Sequence, residues 1–362
     1  MSVISIPESE DPIAMVVEQF WDQGVERVDA LEKLAFLRQM NPIVEKGLIG
    51  FSDQQLWSEI EKRRKGLSVN QQKPVKQLEV ETLLKSEDEL GTDIPDGDFF
   101  ARALKKSEWQ SAHTQAIEKV VLVHRLREVV ALLGFTRFEA QAPDVDGELD
   151  IEVTRASLGK ETDWVPAFEN RGEGIFIGFK KEAIEQWLKR PGVVSRLKKL
   201  NKGFAAWKSE HEQSSREFPG GGYVLLHSLS HMLITSMSLE CGYPASSIKE
   251  RIYAGDYGYG ILLYTGSPDA EGTLGGLIET GRSIREHIDR VIETNLLCSN
   301  DPVCSQHDLE NANDSRYLLG AACHGCLLIS ETSCEQHNDF LDRELVIPTV
   351  DSRDAAFFCV KL

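Results

Sequence analysis

Five of the seven cysteines in this 362-residue chain fall in one C-terminal stretch, ordered Cys298-x5-Cys304-x18-Cys323-x2-Cys326-x7-Cys334, while Cys241 and Cys359 stand apart. The N-terminus carries acids where an export signal needs a basic segment, so the thiols are expected to be reduced, and clustered reduced thiols suggest a metal. A tetrahedral zinc site needs four thiolate or imidazole ligands at about 2.0–2.3 Å, and a C-x-x-C turn supplies two from one tight knuckle whose amides donate to sulfur. Cys323-His324-Gly325-Cys326 has that form, with a glycine free to take the positive φ such turns often require. Cys334 is the expected third ligand, and Cys304 and Cys298 compete for the fourth position; His307, His324 and His337 are nearby imidazoles that offer substitutes. A redox C-x-x-C opens a helix after a strand and does not come with three further thiols. One structural zinc ion is therefore expected, with no open coordination position and no activated water.

Other groups carry weaker signals. His227 and His231 lie four apart in HSLSH, on one face if the segment is helical, but zinc peptidases place a glutamate directly after the first histidine and here Ser228 stands there. Two hydrogen-bonded histidines on a packed face is the expected reading. Asp150 and Glu152, with Glu148, resemble the acidic half of a metal-dependent nuclease, yet Val153-Thr154-Arg155 follows where a lysine is needed. Residues 266–276 (GSPDAEGTLGG) could form a backbone nest for an anion before a helix, but they lack a phosphate-binding fingerprint, and a packing turn is expected. Glu169, Arg171 and Glu173 read as an ion-pair set beside a strand.

The elements that must hold these groups follow from periodicity. Residues 1–90 read as helical, with a third helix starting at Ser52 as N-cap and Gln55 as its reciprocal partner. Residues 67–76 and 87–98 read as loops and 144–163 as an exposed acidic segment. Between them, residues 119–139 lean towards strand, and GEGIFIGF (172–179) is a strand with glycine boundaries. Helices are expected at 181–189, 193–211 and 223–241, then a short helix capped by Ser247 with Glu250 three residues on. A strand at 259–265 and the Gly-rich turn precede a long amphipathic helix whose Ile284, Ile288, Val291 and Ile292 form one stripe. The expected architecture is α/β (α+β): a helical N-terminal region (1–90), a mixed sheet with flanking helices (91–215), a zinc-stapled unit (216–350) and a tail (351–362).

Composition limits the partners. With 40 basic against 58 acidic residues the formal charge is -18, which opposes the counterion release that drives nucleic-acid binding. Two basic runs, Lys62 to Lys65 and the stretch Lys189, Arg190, Arg196, Lys198, Lys199, Lys202, are expected as solvated helix faces. No apolar run is long enough to span a membrane, and a cytoplasmic location is expected.

At this point the motifs show a resemblance. HSLSHMLI, YTGSPDAEGTLGGL, CHGC with Cys334, and FLDR resemble the zinc-binding domain appended to MrfA-type DNA repair helicases, and more closely the DrmB family of helicase-partner subunits in DISARM antiphage defence. The resemblance is firm over residues 217–350 and continues upstream through GFTRF and PAFENRGEGIFIGF. It implies equivalent roles for His227, His231, Tyr264, Gly275, Gly276, Cys323, Cys326 and Cys334. It further implies a non-catalytic subunit that docks on a superfamily 2 helicase and helps it load or hold DNA, contacting DNA through the complex. DrmB-like proteins are longer and carry a separate N-terminal cysteine cluster, so a shortened or split chain, with another chain supplying that region, is the expectation. The alternative is a metal-dependent nuclease or hydrolase using His227 and His231 or the Asp150 group.

Overall fold

The computed structural model describes residues 2–6, 13, 16–17, 20–64, 74–86, 88–95, 97–132, 134, 164–212, 214, 216–265, 275–309 and 316–358. Two compact units emerge: one made of Met1–Ile6 with Val75–Leu362, the other of Pro7–Pro74.

The smaller unit holds helices α1 (Leu31–Met40), α2 (Pro42–Leu48) and α3 (Asp53–Arg64), packed through Leu34, Val44, Leu48, Leu56 and Ile60. Local chemistry sets its turns. Asn41 caps α2, its side-chain oxygen accepting from the amides of Ile43 and Val44, and Pro42 takes the first helical position, where no amide is needed. The expected Ser52–Gln55 box is present: Gln55 N donates to Ser52 Oγ (3.3 Å) and Ser52 N to Gln55 Oε1 (3.1 Å). In the first basic run, Arg64 donates to the Val28 carbonyl and Arg63 lies over the Trp21 ring.

The larger unit is built on one antiparallel sheet. Its strands are β1 (Ser2–Ile4), β2 (Glu89–Gly91), β3 (Phe99–Ala103), β4 (Ile117–Ala131), β5 (Ala167–Phe179), β6 (Ile248–Gly255) and β7 (Gly258–Thr265). The order is β2-β3-β4-β5-β7-β6, and β1 pairs with the far end of β4. Both faces are covered, which explains the unbroken apolar runs of β4 and β5. Val120, Leu122, Ile175 and Ile177 face one core; Val121, Val123 and Phe176 face the other, where helix α4 (Val75–Lys85) brings Val80 and Leu83. The helical reading of residues 1–90 is thus corrected at its start by β1, and the loop reading of 87–98 by β2. The N-terminal strand was hidden because a three-residue strand shows no usable period.

The principal core lies under helix α8 (Gly220–Ser238), preceded by the short α5 (Lys106–Trp109), α6 (Lys181–Leu188) and α7 (Pro191–Glu210). Every residue of α8 from Gly221 to Ile234 is buried, as befits a helix apolar on nearly all sides. The expected long amphipathic helix is two, α9 (Gly276–Arg282) and α10 (Ile284–Thr294), broken at Ser283; α11 (Arg343–Val346) is the last. The short helix expected after Ser247 is instead a 3-10 turn (Ala245–Ser247) running into β6. Strand alternation wins there: Ile248 and Ile252 turn to the α8 side, and Arg251 and Tyr253 to the α4 side, where Arg251 pairs with Glu79. Glu250 shares the inward face of Ile248 and Ile252. No described helix is long and apolar enough to cross a membrane.

Candidate metal centres

Four thiols converge beyond the end of α10. Cys298, Cys304, Cys323 and Cys326 form one group, with Sγ–Sγ separations of 3.5 Å (298–323), 3.7 Å (304–326) and 3.8 Å (323–326). Zinc–sulfur bonds of about 2.3 Å in a tetrahedron give edges of about 3.8 Å, so this spacing fits one ion at the centre. Amides complete the knuckle: Gly325 N points at Cys323 Sγ (3.3 Å), Asn300 N at Cys298 Sγ (3.4 Å) and Asn300 Nδ2 at Cys323 Sγ (3.2 Å). Burial raises the Cys323 thiol, but these donors win and hold it down to about 7, while the neighbouring Cys326 thiol and burial push Cys304 up.

The structure therefore brings together Cys298 and Cys304, which sequence spacing set in competition, and takes Cys334 out of the set. Gly325 also serves differently from expectation. Its φ is not among the positive ones; a Cβ there would meet Ser299 Oγ at 2.7 Å and Cys298 Sγ at 3.4 Å, so the glycine admits the returning chain. His307 donates through Nε2 to the Arg316 carbonyl and accepts at Nδ1 from the Arg316 guanidinium, outside the thiol group, and His324 and His337 belong to neither metal-ligand cluster.

Buried ion pairs fix the cysteine loops to the helices, and they account for the FLDR motif. Arg343 donates to both oxygens of Asp301 (2.7 and 2.8 Å) and to the Asn295 carbonyl, and Asp301 accepts from Cys298 N (2.8 Å). Asp342 receives a two-pronged contact from Arg196 (2.7 and 3.1 Å) and also accepts from Ala321 N. Arg196, read as part of a solvated basic face, is thus an inward structural residue, and Arg190 donates to the Ala356 carbonyl.

Cys334 lies in a second group, with His227, His231 and Glu250, all four buried and their ligand atoms within 4.8 Å of one another. Both imidazoles come from α8, four residues apart as their spacing implied. His227 Nε2 sits 3.1 Å from Cys334 Sγ and 2.9 Å from Glu250 Oε1; His231 Nε2 is 3.3 Å from the same oxygen. Ser228 is directed elsewhere and accepts from Asp342 N (2.8 Å). Burial works against charging His231, yet the Glu250 carboxylate prevails and raises it to about 9. Sequence reasoning missed Glu250 because it was placed as a helix-cap partner; the alternation of Ile248, Glu250 and Ile252 was the available signal.

Two other expectations resolve through Glu173. It does not join the Glu169–Arg171 pair (2.8 Å) but turns inward, accepting from Gly275 N (2.7 Å), Leu277 N (2.8 Å) and Tyr243 OH (3.2 Å). The anion at the start of α9 is thus the protein's own carboxylate, and burial raises its pKa. Tyr264 donates to Glu128 (2.9 Å) in the opposite core. The Asp150 group, Cys359 and most of residues 266–276 lie outside the described residues.

Comparisons with known proteins agree with this geometry. Residues 229–327 match the family model of the MrfA Zn-binding domain, a span that contains the four converging thiols. The chain is 42% identical over 243 residues to the DISARM protein DrmB of Bacillus paralicheniformis; the match covers 66% of this chain and 42% of that protein. The chain thus spans about two-fifths of the length of the curated relative it matches. Together the domain match and the thiol geometry give a site for one structural zinc ion at Cys298, Cys304, Cys323 and Cys326.

Proposed function

We propose that this chain is a non-catalytic, zinc-stapled subunit of a DISARM-like antiphage defence system, which docks on a superfamily 2 helicase and assists it in loading or holding DNA. The observation that carries this is the 42% identity to a DISARM protein over two-thirds of the chain. The closed thiol site supports it, since a metal with four protein ligands stiffens a surface and leaves no position for substrate. Charge supports docking on a basic protein over direct binding to DNA: the chain carries -18 net, and the second basic stretch spends Arg196 on Asp342.

The test is co-expression of the chain with a superfamily 2 helicase of a DISARM system, followed by size-exclusion chromatography and plating against phage. Co-elution at defined stoichiometry, and protection lost when either chain is removed, is the expected result. A chain that elutes alone at micromolar concentration and is dispensable for protection would sink the proposal. Metal-dependent cleavage of DNA by the isolated chain would replace it with the nuclease reading.

A further inference from the structure

We infer that His227, His231, Glu250 and Cys334 form a second metal site, a closed tetrahedral centre that takes zinc, independent of the four-cysteine site. His231 is fixed from its far side. Its Nδ1 lies 2.8 Å from the Leu327 carbonyl, which can only accept, so Nδ1 carries the proton. In the neutral ring Nε2 then presents a lone pair, and that lone pair faces Glu250 Oε1 at 3.3 Å. Two lone pairs facing each other in a dry core call for a positive charge between them, a proton on His231 or a shared metal ion, and the surrounding groups decide between the two. A backbone carbonyl fixing the far nitrogen is also the usual outer partner of a metal-bound histidine.

Cys334 shows the same preparation. Its sulfur is approached by Asn338 N (3.1 Å) and Gln336 N (3.4 Å), in a turn that takes His337 and Asn338 to positive φ (54° and 66°). This is the amide-to-sulfur pattern seen at Cys323 and Cys298 in the zinc knuckle. The geometry closes from the other side as well. His227 Nε2 faces both Cys334 Sγ and Glu250 Oε1, and one proton on it cannot serve both. The rings meet at 87°, as two imidazoles aimed at one point from one helix face do.

Bond lengths of about 2.0–2.3 Å to nitrogen, oxygen and sulfur imply ligand edges of about 3.3–3.7 Å, and the four atoms fall within 4.8 Å. Charge balances too: a carboxylate and a thiolate neutralise one divalent cation beside two neutral imidazoles. Most outer groups are already spoken for, His227 Nδ1 being the one ring nitrogen of the cluster buried without a hydrogen-bond partner. Ser230 hydrogen-bonds the other Glu250 oxygen, and Glu335 is held by Lys76 (2.7 Å) and Tyr223 OH (3.1 Å). Mixed nitrogen, sulfur and oxygen ligands in a tetrahedron select zinc among the abundant divalent cations. With four protein ligands, all buried, the ion has no water to activate.

The full chain, purified without added metal, tests this by elemental mass spectrometry and zinc-edge X-ray absorption. The expected wild-type result is two zinc ions per chain, sharing five sulfur ligands between them and showing imidazole scattering. Cys334→Ser with His231→Asn leaves one ion in an all-sulfur shell; Cys298→Ser with Cys304→Ser leaves one ion in a shell dominated by nitrogen and oxygen. One zinc per wild-type chain in an all-sulfur shell overturns the inference, and that reading needs no variant to fold.

Discussion

The two metal-ligand clusters are built by opposite means. The four-cysteine cluster is assembled from turns: Cys298 and Cys304 flank one loop, Cys323 and Cys326 another, and the knuckle thiols are only half-buried. The His227 cluster is assembled from a helix, a strand and a turn, and its two histidines are wholly buried. In the first, metal gives order to segments that have little core of their own. In the second, a core already packed encloses charges that a metal would neutralise. Removing ligands should therefore do different things: the first cluster should lose its local fold, and the second should lose stability throughout the sheet unit.

The largest effect is expected at the loops. Cys323→Ser or Cys326→Ser should abolish zinc binding there, which in small sites contributes on the order of 10 kcal/mol to folding. Limited proteolysis should then cut between residues 298 and 327 while the sheet survives; a variant with an unchanged proteolysis pattern and melt would break the comparison. Next, Cys334→Ser should cost about 3–5 kcal/mol, the range for stripping a partner from buried charges, and should lower the main cooperative transition in denaturant without creating new cleavage sites. A cluster that melts locally instead would show that the two are built alike.

Arg196→Met provides a scale free of metal. It leaves Asp342 buried beside Glu344 without its guanidinium and should cost about 3 kcal/mol or more, with zinc content unchanged. The smallest expected effect is a titration. Glu128 is 1% exposed; burial works against its charge, but Lys249 (2.9 Å), Ser2 and Asn170 hold its pKa below the ordinary 4.5. A lowered folded-state pKa contributes stability that is present above about 4.5 and lost as pH falls through the folded value. Glu128→Gln should thus be weaker than wild type by about 1–3 kcal/mol at neutral pH, with the gap closing in acid. A gap independent of pH would mean that Glu128 acts through shape alone.

What could be read from sequence follows the same division. The C-x-x-C knuckle, the Ser52–Gln55 box and the i, i+4 histidines are local, and spacing along the chain reports local geometry directly. The apolar run at β5, and helices α6 to α8, were equally plain, because period and length decide them, whereas β4 only leant towards strand because Leu126, Val129 and Val130 also fit a helical period. The ligand partition was not. Cys334 was grouped with the knuckle because it is near in sequence, yet the fold carries it to α8; Glu250 was hidden by a cap-like Ser247 whose segment is pulled into the sheet by Ile248 and Ile252. Glu173 was read as part of an ion-pair set and Arg196 as part of a solvated face for a related reason, since burial of a charge depends on a distant partner, here 104 and 146 residues away.

The pairing of β1 with β4 sets an order of events. Ser2–Ile4 lie across from Glu128–Val130, and Ile4 N reaches Glu79 Oε1 (3.4 Å), yet the whole Pro7–Pro74 unit intervenes in the chain. During synthesis the helical unit has all its own core residues before any strand that could receive β1 exists. The helices can close early, as domains made from the N-terminus do, while the strand ahead of them waits as an unpaired edge until the ribosome has passed residue 130. A chaperone or partner that covers that waiting strand would set when its pairing with β4 can close.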